Sequence, residues 1–477
     1  MGVMRAITPI FFLIFILYSC AKFDKEQIDA KIFKNVEIEK TENSAFTDES
    51  LFVKGDFPEQ NFWTDFCDDR LNDLVERAIN NSPDLKAVEA KLIASKSHAE
   101  KVKSKIFPKI DALFNLLWAY LTNDFKKRFP TLDTNFQFYT LGFDFNYDFD
   151  FWGVNRKQFR AMLGEVEASK ADYELAKMSL IISVVNSYFN LQACYAKCLI
   201  TDEILKNRQK INELEKIRDK YRIGNTILVK ESDALVLELF ENLSVLKQEL
   251  EVQKSFFLTL LGDNPSEDLG FDLNWKPNFF RFELPSNIGL NLLSRRPDLK
   301  AHICRIKKSS ELIGVAVSQF YPSINLKGLL PLENFSFDTL FSEKSFMPSL
   351  FPLIQLPIFH GGALRSNLKE KIAQHEVNIY EYNSALLSAS NEVVVGVNNL
   401  KAVDERLNFQ RQKLSLSQKI TELTEIKYLK GIDSLMNLVW MRQNHLFNEL
   451  YFVEMERLKL NSILALVKAL GGGYVSE

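Results

Sequence analysis

The residues equipped for chemistry in this chain are few and scattered. It carries five histidines and five cysteines, but His375-Glu376 lacks the second histidine that a zinc-protease helix needs four residues on. Cys67, Cys194, Cys198 and Cys304 form no Cys-x-x-Cys pair, and Cys194 with Cys198, four apart on a helix, make poor disulfide geometry. They are expected to be small buried residues. There is no glycine-rich phosphate loop, no nucleophile elbow and no carboxylate pair in a recognisable acid/base setting. No catalytic residue, metal or cofactor is therefore expected, and the chain does not read as an enzyme. The acids that do form patterns suit the handling of ions. Asp144, Asn146, Asp148 and Asp150 alternate with Phe143, Phe145, Tyr147, Phe149 and Phe151, while Glu422 and Glu425 stand three apart and share one face of a helix.

Cys20 is different in kind. It follows the apolar run Ala6 to Ser19, which sits behind Arg5. That run is shorter than the roughly 20 residues of a membrane-spanning helix and contains Pro9. Residues 1–19 read as a secretory signal peptide. Leu17-Tyr18-Ser19-Cys20 is similar to the lipobox of bacterial lipoproteins, which implies that Cys20 becomes the acylated first residue of the mature chain. Ala21 in the next place implies, under the same resemblance, delivery to the outer membrane.

Composition limits the partners. With 46% hydrophobic residues, 25% charged and a net charge of -3, the chain has the means to build a core and lacks the basic excess that nucleic acid demands. The alternation from Phe143 to Phe151 predicts a strand with five aromatic rings on one face and polar groups on the other. In a soluble sandwich the rings would fill a core. In a membrane barrel they would face lipid, with Asp144, Asn146, Asp148 and Asp150 lining the pore as an acidic wall that favours cations or neutral solutes. Nine residues match the 9–11 of a tilted transmembrane strand, and Trp152 stands where an interfacial aromatic would, which favours the barrel. An upstream partner strand is expected through Ile110, Ala112, Phe114, Leu116, Trp118 and Tyr120. A weaker pair runs through Ile324 and Leu326 and through Ile354, Leu356 and Ile358.

Long helices follow each strand pair. Glu165 to Ile223 contains neither glycine nor proline, and Leu175, Ile182, Phe189 and Ala196 recur every seven residues, with Met178, Val185, Gln192 and Leu199 three behind. Ile372, Ile379, Leu386, Val393, Leu400, Leu407 and Leu414 keep the same step. A sustained seven-residue period predicts coiled coils. A helix from about Arg156 to Arg222 is expected to end at Gly224, its counterpart at Gly431, and each glycine is expected to cap the turn into a shorter return helix.

The two halves also repeat each other. Ser82-Pro83-Asp84-Leu85-Lys86-Ala87 returns 214 residues later as Arg296-Pro297-Asp298-Leu299-Lys300-Ala301. Tyr221-Arg222-Ile223-Gly224 is matched with Tyr428-Leu429-Lys430-Gly431, and Leu261-Gly262 with Leu470-Gly471. This implies a tandem duplication of helix, strand, strand, long helix and return helix. The expected division is a signal peptide (1–19), an N-terminal lipid-anchored extension (20–75), a first repeat (76–272), a linker (273–287), a second repeat (288–473) and a tail (474–477). Four strands cannot close, and lipid does not tolerate an open sheet edge, so a membrane reading requires several chains to share one barrel.

These residues resemble the TolC-type outer-membrane efflux proteins, in particular the lipoprotein branch that serves tripartite pumps. Trp63, Phe66, Asp68, Leu71, Leu74 and Ala78 before Ser82-Pro83-Asp84-Leu85 are similar to the family's N-terminal signature. Phe151-Trp152-Gly153 with Arg156 is similar to its strand-to-helix junction. Arg296-Pro297-Asp298-Leu299, Ile313-Gly314-Val315-Ala316 and Phe320-Tyr321-Pro322 are similar to its mid-chain signature. The resemblance implies a mixed α+β membrane protein: a homotrimeric β-barrel with four strands per protomer, continued by a long α-helical coiled-coil barrel in the periplasm. It implies a periplasmic adaptor and an inner-membrane transporter of the RND type as partners, and no cofactor. His302, Lys230 and Asn437 depart from the family's usual residues. The expected function is passive export of small molecules; a duct for type I protein secretion and a non-pore coiled-coil scaffold are the alternatives. The closed periplasmic end is expected at the Gly224 and Gly431 turns, with Glu422 and Glu425 as gate candidates that would attract cations and repel one another unless partnered by Lys220, Arg222, Lys427 or Lys430. A solvated outer face is the alternative for this pair.

Overall fold

The computed structural model describes residues 30–33, 51–120, 122–128, 130, 135–277, 282–284 and 295–475. In chain order its elements are β1 (Phe52–Lys54), α1 (Asp69–Asn81), α2 (Pro83–Lys103), β2 (Lys109–Tyr120), α3 (Asn123–Arg128), β3 (Asn135–Phe149) and α4 (Val154–Lys220). Then come α5 (Thr226–Leu261), β4 (Phe282–Leu284), α6 (Pro297–Ser318), β5 (Ser323–Asn334), β6 (Ser349–Gln355), α7 (Ala363–Leu429) and α8 (Leu435–Ala469). The order helix, strand, strand, long helix, return helix occurs in both halves. Cys20 lies outside the described residues. No helix among them is long and apolar enough to cross a membrane.

The chain falls into two compact units. One takes in 92–169 and 302–382 and carries a four-stranded antiparallel sheet of order β2-β3-β5-β6. β3 is longer than the nine alternating residues and starts at Asn135, because Thr140 and Leu141 extend the pairing with β2. It stops at Phe149, so Asp150 and Phe151 lie beyond the strand, contrary to expectation. β6 likewise ends at Gln355, leaving Leu356 and Ile358 outside. Two prolines sit in this sheet. Pro352 is on β6, an edge strand, where a missing donor is tolerated. Pro331 on β5 accepts from the Met347 N–H on the side away from β3, so its absent N–H points beyond the last β5–β6 pair, Leu329 with Ser349. Opposite it, Gly142 has no room for a side chain: a Cβ there would lie 2.5 Å from the Leu330 carbonyl oxygen and the Pro331 Cα.

The other unit takes in 33–91, 170–301 and 383–477. Asp68 caps α1 by accepting from the Arg70 and Leu71 N–H groups, and Tyr188 of α4 donates to its second oxygen at 2.6 Å. Burial, reinforced by Asp68, raises the Tyr188 pKa above its ordinary value, so the phenol stays a donor. Trp63, Phe66, Leu71, Leu74 and Ala78 are all buried, which accounts for the N-terminal signature as core residues and one cap. The boundary expected at 76 falls inside α1, and the linker expected at 273–287 contributes β4, which pairs in parallel with β1 through Phe52 and Phe282.

The heptad positions behave as the period requires. Ile372, Ile379, Leu386, Val393, Leu400 and Leu407 on α7 are buried, as are Ile182 and Phe189 on α4. Leu175, Ala196 and Leu414 are only half-buried, and Leu199 is 52% exposed. Of the cysteines, Cys194, Cys198 and Cys304 are buried, and burial pushes the Cys194 thiol up to about 12, whereas Cys67 is exposed.

The helix turns correct the internal alignment. α4 ends with Arg222, not Gly224, in the left-handed region at φ 59°, while α7 ends with Gly431 at φ 70°. Ile223 N–H donates to the Arg218 carbonyl at 3.0 Å, and Ile432 N–H donates to the Lys427 carbonyl at 2.9 Å. These are the same capping bonds. Arg222 is thus the counterpart of Gly431, and the return helices start on matching caps, Asn225 and Ser434. Lys230 and Asn437, matched by their distance from the glycines, are not equivalent. Because a side chain in the left-handed region costs roughly 1 kcal/mol, Arg222→Gly should tighten its turn and Gly431→Ala loosen the other by about that amount. Amide exchange checks this: protection at Ile223 should rise about fivefold in the first variant and fall about fivefold at Ile432 in the second.

Candidate functional site

The sheet register sorts the strand residues into two faces. On one, Ile110, Ala112, Phe114, Leu116 and Trp118 of β2 lie opposite Phe145, Phe143, Leu141, Tyr139 and Gln137 of β3. The same face continues across Phe143, Tyr147 and Phe149 to Leu330, Leu326 and Ile324 of β5, and from there to Leu350 and Ile354 of β6. It is almost wholly apolar, and Phe114, Trp118, Phe143, Leu330, Leu350 and Ile354 are each about half exposed or more. Contiguous apolar exposure across four strands marks a surface that lipid or protein covers.

The other face is mixed. Asp144, Asn146 and Asp148 share it, but so do Lys109, Asp111, Asn325 and Lys327, because Lys109 pairs with Asn146 and Asn146 with Lys327. The uniform acidic wall read from β3 alone is therefore interrupted by two lysines contributed by the neighbouring strands. Asn325 donates to the oxygens of Asn146 at 2.7 Å and Asp148 at 2.6 Å, holding both side chains along the sheet.

Asp150 has a different task from the one expected. One carboxylate oxygen accepts from the Asn155 N–H at 3.1 Å, the other from the Arg156 N–H at 2.9 Å and from its guanidinium at 3.3 Å. It thus satisfies the open donors at the start of α4. Trp152 beside it stacks on Tyr321 at 4.6 Å and donates to the Pro322 carbonyl at 2.8 Å. Lys157 reaches the Trp152 carbonyl, the Gly314 carbonyl and the Ser318 hydroxyl, and Gly314 leaves room for its stem. Two motifs 170 residues apart in sequence thereby form one joint that fixes where strand becomes helix. Phe151, past the strand, stacks on Phe149 and remains 64% exposed.

At the helix turns, Glu425 pairs with Arg442 of α8 at 2.8 Å rather than with Lys220, Arg222, Lys427 or Lys430. Glu422 is exposed and accepts from Gln418 at 3.1 Å. Asn437 donates to Asp433 at 2.8 Å, and this bond, with one from the Ser434 N–H, holds the Asp433 carboxyl below its usual range. Sequence reasoning missed Arg442; its signal was a cation 17 residues after Glu425, the distance that a hairpin of two helices brings together.

Several known proteins share this fold. The chain is 24% identical over 446 residues to the multidrug resistance outer membrane protein MdtP of Escherichia coli O6:H1, covering 91% of each chain. The outer membrane channel CmeC of Campylobacter jejuni superposes with a TM-score of 0.81 at 24% identity, over 89% of this chain and 90% of that one. The outer membrane protein VceC of Vibrio cholerae does so with a TM-score of 0.77 at 25% identity, over 87% of this chain and all of VceC. The sequence model for outer membrane efflux proteins matches twice, at residues 74–255 and 290–472. Taken with the two-faced sheet and the paired helical hairpins, this double match places the chain in the outer membrane efflux protein family.

Proposed function

We propose that the protein is the outer-membrane duct of a tripartite efflux pump, a homotrimer through which small molecules pass without chemical change. The observation that carries this reading is the open four-stranded sheet. β2 and β6 each have one unpaired edge, yet the sheet presents an apolar face that only lipid would cover over so large an area. Open edges are not stable in lipid, so copies must join β6 of one to β2 of the next, and three copies make twelve strands. Leu235, Val252 and Phe256 on α5 and Phe409, Leu416 and Leu423 on α7 are also exposed in the single chain, as helices covered by further copies would be. The names of the relatives, multidrug resistance proteins, favour small molecules over a protein cargo. A periplasmic adaptor and an RND-type transporter complete the pump under this reading. Purified protein in planar bilayers should form discrete channels, and its mass in detergent should be that of three chains. A monomer without conductance would leave only the scaffold reading.

Lipid anchoring through Cys20 is part of the proposal. Mass spectrometry of the mature N-terminus should find Cys20 first and acylated; an unmodified cysteine or cleavage elsewhere removes the anchor and leaves the barrel standing.

The periplasmic gate is placed at the hairpin turns. With Glu425 engaged by Arg442, Glu422 is the acid with no ion-pair partner among the described residues, so threefold symmetry would gather three unneutralised carboxylates rather than six. Glu422→Ala with Glu425→Ala should enlarge the single-channel conductance and weaken block by divalent cations. Unchanged conductance and block would put both residues on the outside of the helical barrel.

A further inference from the structure

The mixed face of the sheet carries more than its aspartates. Lys109, Asn146 and Lys327 stand side by side on β2, β3 and β5 in one lateral row. Asp111 and Asp144 oppose each other in the next row. Asp148 and Asn325 occupy the row on the other side. Like charges directly opposed on neighbouring strands repel, and Lys109, one row from Asp111 and diagonal to Asp144, offsets that repulsion. Both lysines are exposed, and neither enters an ion pair among the described residues. Asp148 is turned toward Asn325, which donates to it at 2.6 Å. Two rows of acid thus enclose a row of free ammonium groups, all in the half of the sheet nearest α2, α4 and α6.

We infer that Lys109 and Lys327 make this stretch of the duct a mixed-charge belt that admits anionic and zwitterionic solutes alongside cationic ones. The inference rests on the proposed assignment of this face to the lumen. Three copies would place six ammonium groups and nine carboxylates around it, close enough for a solute carrying both charges to meet both partners. An all-acid wall would instead repel the negative end of such a solute.

Local potential is best read by a thiol on the belt itself. Leu353 lies on the mixed face, in the row of Asp148 and Asn325, and is 51% exposed; its neighbour Ile354, 67% exposed, lies on the apolar face. In the full-length Cys67→Ser protein reconstituted in lipid, Leu353→Cys and Ile354→Cys are treated separately with an anionic and a cationic methanethiosulfonate. Leu353→Cys should react with both and Ile354→Cys with neither. Adding Lys109→Gln and Lys327→Gln to the Leu353→Cys protein should lower its anionic-to-cationic rate ratio about fivefold in roughly 10 mM salt, with little change left at about 1 M. Asp111→Asn with Asp144→Asn, a second variant that keeps both lysines, should raise the ratio. A ratio that stays within about twofold in both variants overturns the belt while leaving the duct intact. Reaction of the Ile354→Cys protein with none of the Leu353→Cys protein reverses the faces and overturns the lumen assignment together with the belt.

Discussion

Phe145→Lys is expected to keep the protein out of the membrane. Phe145 lies in the body of the sheet, between Ile110 of β2 and Gly328 of β5, on the face where apolar side chains run across all four strands. A lysine near the midplane of a lipid-facing strand costs about 2–4 kcal/mol, and the proposed threefold assembly would repeat the cost in every copy. The summed penalty, on the order of 6–12 kcal/mol, is comparable with the whole stability of an ordinary domain. Asp148→Lys, three residues on, changes a side chain on the opposite face and should insert normally. Membrane fractionation and the heat-modifiable trimer band compare the two directly. Equal insertion would remove the case for a lipid-facing sheet.

The second large effect is expected at a buried guanidinium. Arg296 is 7% exposed and is held by Asp298 and Glu392, each at 2.7 Å, and by the Ala469 carbonyl at the end of α8. One guanidinium therefore fastens the start of α6 to α7 and α8. Burial alone would raise the Asp298 pKa, but the Arg296 bonds and charge, with the Leu299 N–H, outweigh it and hold the carboxyl below its usual range. Arg296→Ala leaves that half-buried carboxylate without its partner and removes the bond to the Ala469 carbonyl, a loss of about 1.5–3 kcal/mol. The pH dependence has a definite sign. A carboxyl whose folded pKa is depressed contributes stability that is complete above its unfolded value near 4 and is lost as pH falls through the folded value. The native protein should thus lose this contribution only below about pH 4, whereas Arg296→Ala should be weak at neutral pH and lose less on acidification. Thermal unfolding of the detergent-solubilised protein between about pH 3 and 8 tests both statements, and parallel curves for the two proteins would contradict them.

What the sequence disclosed and what it withheld have a common cause. Periodicities are local, so the two faces of β3 and the buried heptads of α7 could be read directly from residue spacing. Lys109 and Lys327 could not be assigned to the face of Asp144, because only strand register brings three distant segments into one row. Alternation also says nothing about where a strand stops: Asp150 keeps the pattern of Asp144 and Asp148, yet the donors of the first turn of α4 claim it. The misplaced turn has a similar origin. Glycine is the usual mark of a left-handed cap, and Gly224, two residues past the actual position, drew attention from Arg222. β1 and β4, three residues each and more than two hundred apart, carry no pattern that could have announced their pairing.

The two long helices, α4 and α7, are each 67 residues. In an α-helix every added residue turns the downstream chain by about 100° and advances it by about 1.5 Å. An insertion in α4 alone would rotate its capped turn and the whole of α5 against the unchanged hairpin of α7 and α8. Seven residues added to α4 and α7 alone would push α5 and α8 along the axis by about 10.5 Å, off their contacts at Asn81 and Arg296, so α5 and α8 must gain the same seven. All four insertions together nearly restore every buried position, with a drift of about 20°. Changes in length are therefore tolerable only when both arms of both hairpins change together, in steps of the seven-residue period. A designer wishing to lengthen or shorten the conduit must edit the gene four times, by the same multiple, at corresponding places in α4, α5, α7 and α8.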